Sequence, residues 1–296
     1  MDMPQTKSFK PKPNTFLPTE QRCSIPIHQL PTQVTVLLAP KVRLQKVASR
    51  SSERKMSAIK AVLLDIEGTV SSISFVRDVL FPYTLHALPQ VLDEKWDTPE
   101  FAPYRNEFPV EFRDEREKFE AHVRDLTARD VKVAYLKGLQ GYLWLTAYRS
   151  GNIKAPLYAD VIRALPLWTS RGLKVYIYSS GSVLAQRLFF EYTDNEAQPD
   201  QRGYLSGYFD TVNAGVKWEK GSYEKICEET GILPHEWVFL TDNVKEVEAA
   251  TAAGLHARIV LRPGNAPVSD DDVQKFGSLV TDFVDDEGLK GVLGVP

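Results

Sequence analysis

Six polar side chains in this sequence have types and spacings that could do chemistry. Asp65 and Glu67 stand in Asp65-Ile-Glu-Gly-Thr69, directly after the apolar run Ala61-Val-Leu-Leu64. A charge at the end of an apolar strand is costly unless something uses it. Gly68 permits a tight turn and Thr69 adds a hydroxyl. Ser179 and Ser180 follow the run Leu173-Lys-Val-Tyr-Ile-Tyr178, and Asp242 follows Trp237-Val-Phe-Leu-Thr241. Lys217 lies in a loop just before a helix. Carboxylates from two strands can hold one Mg²⁺, which favours a few carboxylates with waters and phosphate oxygens. Serine and helix amides bind phosphate, and a lysine neutralises charge on the transferring group. A carboxylate can attack phosphorus, and a second one nearby can move the protons. The set reads as phosphoryl transfer.

Each residue also has an ordinary structural reading. Ser179, Ser180 and Asp242 could cap the helices that follow them, and Lys217 could be a surface lysine. What favours chemistry is the joint pattern, in which three strands end on compatible groups. No GxxxxGK[ST] loop is present, so a P-loop nucleotide site is excluded.

The elements that must position these groups alternate. After the strand at 61–64, Ser71 to Tyr83 reads as a short amphipathic helix ended by Pro82, and 85–113 as irregular. Helical periodicity then places Phe119, Val123 and Leu126 on one face, and Leu136, Leu139, Leu143 and Ala147 on another. Asp130 is a candidate cap for the second helix and Gly151 its end. Residues 74–154 hold no good strand and read as an all-helical insertion. Beyond them come a helix at Tyr158–Ser170, the strand at 173–178, a helix at Val183–Phe190, and a weaker strand at Phe209–Val212. A helix capped by Ser222 and followed by Gly231, the strand at 237–241, a helix ending at Gly254, and a strand at Ala257–Leu261 complete the order. Such alternation means an α/β fold with a doubly wound parallel sheet, whose carboxyl strand ends share one edge. The expected domains are a leader or disordered extension over 1–56, an α/β core over 57–73 and 155–296, and a helical cap over 74–154.

Composition removes several function classes. The 296 residues are 43% apolar and 25% charged, with a net charge of -3, so no nucleic-acid or membrane-surface partner is indicated. Cys23 and Cys227 make neither a disulfide framework nor a zinc site, and a reducing compartment follows. The first 55 residues carry ten basic and three acidic side chains, a net +7 that leaves -10 for the rest. They are proline-rich and read as disordered. A mitochondrial transit peptide, or a translation start at Met56, are the alternatives.

The ordered set resembles the haloacid-dehalogenase-like hydrolases, whose first loop is Asp-x-Asp-Gly-Thr; here Glu67 replaces the second Asp. That departure, with Ile73-Ser-Phe-Val-Arg-Asp-Val-Leu-Phe-Pro-Tyr83, Leu139-Gln-Gly-Tyr-Leu-Trp144, Lys154-Ala-Pro-Leu-Tyr158, Lys174–Ser182, Ser222-Tyr223 and Arg262-Pro-Gly-Asn-Ala266, is similar to the enolase-phosphatases of methionine salvage. The similarity runs from about Ser57 to the C-terminus. It implies a Rossmann-like core under a helical cap. It implies Asp65 as nucleophile and Mg²⁺ ligand and Glu67 as the metal-associated acid/base. In the wider superfamily the Glu67 position offers its backbone carbonyl to the metal. Ser179, Ser180 and Lys217 would meet the substrate phosphate, and Asp242 would complete the site of one Mg²⁺ per chain. Around Asp242 the match is looser, with Thr241 where Ser is also common and Asn243 where an apolar residue is frequent.

The implied substrate is a small phosphorylated diketone, enolised and then dephosphorylated, by a cytoplasmic monomer; the nucleus is a second location. Glu67 or a residue of the helical insertion is the expected enolisation base. Phe75, Tyr83, Trp144 and Tyr148 are candidates for the methylthio end, or else for the insertion's own core. The competing readings are a related phosphatase with another substrate, a dehalogenase, or a phosphorylated receiver domain. A dehalogenase has no use for Glu67 and Asp242, and a receiver domain has no room for the insertion.

Overall fold

The central strand β1 (Ala61–Leu64) is buried on both sides, which its unbroken Ala-Val-Leu-Leu run requires. It belongs to a five-stranded parallel sheet in the order β3-β2-β1-β4-β5, with β2 at Lys174–Tyr178, β3 at Leu205–Phe209, β4 at Trp237–Thr241 and β5 at His256–Ile259. This computed structural model describes residues 58–295 apart from 278, all within the unit Arg54–Pro296. The readings for the leader and Cys23 lie outside the described residues.

Alternate residues of the strands feed two cores. Val62, Leu64, Val175, Ile177, Val238 and Leu240 face one cluster with Leu165, Trp168 and Phe189. Ala61, Leu63, Tyr178, Trp237 and Phe239 face another with Ile226 and Val247. The helices on these faces are α6 (Ala159–Ser170), α7 (Val183–Glu191), α8 (Lys220–Thr230), α9 (Val244–Ala252), α10 (Asp270–Phe276) and α11 (Glu287–Leu293). Between β1 and α6 the chain is helical: α1 (Phe81–Lys95), α2 (Ala102–Asn106), α3 (Val110–Arg113), α4 (Arg116–Ala128) and α5 (Ala134–Arg149). These five enclose a third core of Leu88, Leu92, Phe101, Phe119, Val123 and Leu139. Among the described residues, no helix is long and apolar enough to cross a membrane.

Several expected boundaries are corrected. Pro82 does not end a helix: a π-helical turn at Val76–Leu80 runs into α1, and Pro82 occupies its first turn, where no N–H partner is needed. Residues 85–113 are not irregular, because α1 continues through Pro89 and α2 and α3 follow. Pro89 withholds the N–H that would reach the Leu85 carbonyl; the Arg124 guanidinium of α4 donates to it instead, at 3.3 Å. Asp130 is not a cap but a left-handed residue (φ 51°) before α5. The third strand ends at Phe209 rather than starting there, since Asp210 Oδ1 accepts from the Val212 and Asn213 N–H groups and turns the chain. Ser222 lies inside α8 and donates to the Val216 carbonyl at 2.7 Å, so it is not the cap. The last strand stops at Ile259, and Val260 bridges to Val280.

Candidate active site

Asp65 carries the ladder one residue past β1, its N–H donating to the Leu240 carbonyl at 3.0 Å. Its carboxylate is buried, with Oδ1 accepting from the Ile66 N–H at 2.8 Å and from Lys217 Nζ at 2.6 Å. Lys217 is 5% exposed, so the surface reading fails. Its ammonium also meets Glu246 Oε2 at 2.7 Å, and the Thr241 hydroxyl donates to the same oxygen at 2.7 Å. Thr241 also lies 3.3 Å from Asp65 Oδ2. Burial alone would lower the lysine's pKa, but Asp65 and Glu246 outweigh it and hold Lys217 charged.

The loop that delivers Lys217 is braced from three sides. Tyr223 donates to the Lys217 carbonyl at 2.6 Å, Ser222 to that of Val216, and Tyr178 to that of Gly215 at 2.8 Å.

Asp242 closes the edge from β4. Gly68 lets it approach: a Cβ there would lie 2.5 Å from Asp242 Oδ2, and φ is +71°. The β5 loop clamps this turn. Asn265 Nδ2 donates to the Gly68 carbonyl at 2.8 Å and Arg262 Nε to the Thr69 carbonyl at 3.0 Å. Arg262 is itself fixed by Asp160 at 2.7 Å. Burial, then Asp65 and Glu246, push the Asp242 carboxyl up to about 7. Burial also raises Glu67, with Asp65 adding to the effect and Lys132 opposing it.

Capping of the following helices falls to other residues. Ser182 caps α7, accepting from the Ala185 N–H, and Asn243 caps α9, accepting from that of Lys245. Ser179, Ser180 and Asp242 are therefore free of that duty. Ser179 is buried, its Oγ accepting from the Gly181 N–H at 3.3 Å.

Glu67, Ser179 and Ser180 line a cavity of about 390 Å³ roofed by α4 and α5. This is within the size range of small-molecule sites. Trp144 and Tyr148 also line it, whereas Phe75 and Tyr83 do not. Trp144 donates from Nε1 to the Leu80 carbonyl at 3.1 Å and to Thr84 Oγ1 at 2.9 Å, so its ring is fixed. Asp65, Lys217 and Asp242 are not among the residues that line it.

Glu246 and Thr241 were not singled out from the sequence. Glu246 had a signal: it falls three and four residues before Ala249 and Ala250, on the buried stripe of α9. An acid on such a stripe asks for a partner. Among the described residues, no three Asp, Glu, His or Cys side chains converge to hold an ion unaided. Any cation here needs backbone, water or phosphate oxygens as well.

Residues 59–254 match the haloacid dehalogenase-like hydrolase family. The enolase-phosphatase E1 of Verticillium alfalfae is 55% identical over 81% of this chain and 92% of its own length. That of Neurospora crassa is 58% identical over 73% and 93%. The crystal structure of the UTR4 protein of Saccharomyces cerevisiae superposes with a TM-score of 0.68 at 40% identity, covering 77% of this chain and 99% of that one. With a buried acid–lysine–acid cluster on a parallel sheet edge and likeness across nearly the full length of these relatives, the chain belongs to the enolase-phosphatase E1 family of haloacid dehalogenase-like hydrolases.

Proposed function

We propose that this enzyme enolises 2,3-diketo-5-methylthiopentyl-1-phosphate and then releases its phosphate, leaving the acireductone 1,2-dihydroxy-3-keto-5-methylthiopentene. The observation that carries the reading is the placement of Asp65. It is buried and paired to Lys217 at 2.6 Å, while Glu67, two residues on, opens onto the cavity.

One Mg²⁺ per chain fits the donor set. Asp65, Glu67, Asp242 and Glu246 crowd one edge with Lys217 as their buried cation; burial first, and then Asp65 and Glu246, push the Asp242 carboxyl up. Asp65, Asp242 and the Glu67 carboxylate or carbonyl would hold the ion. When bound, it supplies electrophilic stabilisation to an enolate or phosphoryl oxygen.

In the phosphatase step Asp65 attacks phosphorus, the ester P–O bond breaks, and Glu67 gives its proton to the leaving oxygen. Glu67 then takes a proton from the water that attacks the aspartyl-phosphate, which returns Asp65 as a carboxylate. Burial raises the Glu67 carboxyl above the ordinary carboxylate range, which favours its protonated, acid form. Lys217 keeps Asp65 in place and offsets the charge on the transferring group. Ser179 and Ser180 hold the phosphate. Glu67 also serves as the base that takes the C1 proton in the enolisation and returns it to the C2 oxygen as the C1=C2 bond forms and the C2=O double bond becomes single.

The test follows enol absorbance and phosphate release from the diketone in parallel. Activity should require Mg²⁺ and vanish in Asp65→Asn. Glu67→Gln should block both signals. Phosphate release undiminished in Asp65→Asn would remove the reading, and normal enol accumulation in Glu67→Gln would remove Glu67 as the base.

A further inference from the structure

The turn Ser179–Ser182 is held by its carbonyls from two different helices. Lys137, on α5, donates from Nζ to the Ser180 carbonyl at 2.7 Å and lies 3.4 Å from Thr211 Oγ1. Gln186, on α7, donates from Nε2 to the Gly181 carbonyl at 2.8 Å and to the Phe209 carbonyl at 2.8 Å. Both residues also line the cavity.

In a trans peptide the C=O and N–H of one unit point in opposite directions. Holding the Ser180 oxygen therefore fixes where the Gly181 N–H points, and holding the Gly181 oxygen fixes the Ser182 N–H. The Gly181 N–H points to the side of the Ser179 hydroxyl, its acceptor at 3.3 Å. The Ser182 N–H makes no hydrogen bond among the described residues. Gln186 is 1% exposed, and its amide cannot be reversed without setting its oxygen against two carbonyls. Lys137 is the element of this arrangement that does not belong to the sheet or its flanking helices. It reaches from the helical segment between β1 and α6.

We propose that Lys137, working with Gln186, is a positioning residue for phosphate, aiming the Gly181 and Ser182 N–H groups at the anion. Because Lys137 sits on α5, the grip on phosphate is tied to the seating of that helix over the sheet edge. The inference rests on the function proposed above and extends it by assigning an α5 residue to the phosphate subsite.

The experiment uses the full chain with Mg²⁺ and measures inorganic phosphate binding by calorimetry, with ¹⁵N amide shifts of Gly181 and Ser182 as a second readout. K137M should weaken phosphate binding by about tenfold, the loss of one charge-assisted hydrogen bond. It should also shrink the phosphate-induced shift at Gly181. Lys137→Arg, which keeps the charge and the donors, should restore most of the affinity. Lys137→Gln serves if K137M does not fold. A merely structural role would lower the melting temperature and leave the two amide shifts intact. Phosphate binding by K137M within about twofold of the unaltered protein would overturn this inference alone. An unaltered protein that binds no phosphate would overturn the proposed function, and this inference with it.

Discussion

Around Lys217 the charged atoms are densely paired: its ammonium bridges Asp65 and Glu246, and Thr241 secures the second acid from behind. The wall of the neighbouring cavity is furnished differently. The Tyr148 hydroxyl, Gln186 Oε1 and Thr127 Oγ1 are buried without a hydrogen-bond partner among the described residues. Apolar side chains such as Leu80, Phe81 and Phe189 lie between them. Unsatisfied buried polar atoms are uncommon and ask for an explanation. The ion pairs of Lys217 are in place before any ligand arrives, as phosphoryl transfer by fixed charges requires. The cavity wall has polar capacity left over, which suits a surface whose partners come from the substrate. The charged cluster is built by the sheet edge, and much of the cavity wall by α4, α5 and α7.

Three changes probe that contrast, from the largest expected effect to the smallest. Glu246→Ala removes a buried carboxylate that accepts from Lys217 and Thr241, and should destabilise the fold by about 2–3 kcal/mol in urea unfolding. A loss below about 1 kcal/mol would mean that the cluster is no more committed than a surface pair. Gly68→Ala sets a Cβ 2.5 Å from Asp242 Oδ2 at a left-handed φ. Its backbone term alone is about 1–2 kcal/mol, and Mg²⁺ affinity measured by calorimetry should fall with it. Unchanged affinity would separate Asp242 from the metal. Trp144→Phe removes an indole N–H bonded to the Leu80 carbonyl and Thr84, a loss of about 1 kcal/mol. It should raise KM for the diketone with kcat kept. The opposite split would move Trp144 from recognition to chemistry.

The strand ends were legible because each acid or serine interrupts an apolar run, and parallel strands leave only one edge for such groups. Asp65, Ser179 and Asp242 follow from that alone. Lys217 was harder, since burial of a loop lysine has no local signature; what buries it is Tyr178 and Tyr223, distant in sequence. Glu246 stands between Lys245 and Glu248, two ordinary surface charges, and only its place on the buried stripe of α9 sets it apart. In the helical segment, prolines misled. Pro82 and Pro89 read locally as breaks, but one stands at a helix start and the other has its lost bond to Leu85 replaced by Arg124, distant in sequence. Breaker residues are judged locally, whereas their rescue is tertiary.

The clamp of Arg262 and Asn265 on the Thr69 and Gly68 carbonyls has a consequence for synthesis on the ribosome. Asp65 emerges early, but the turn beside it is not secured until the segment after β5 has left the exit tunnel and docked. A nascent chain displaying Asp65 would therefore hold an unfinished Asp65–Thr69 loop until that segment docks. Activity should appear only once Arg262 and Asn265 have emerged and docked, and C-terminal truncations that remove Asn265 should fail as catalysts even where the sheet still assembles.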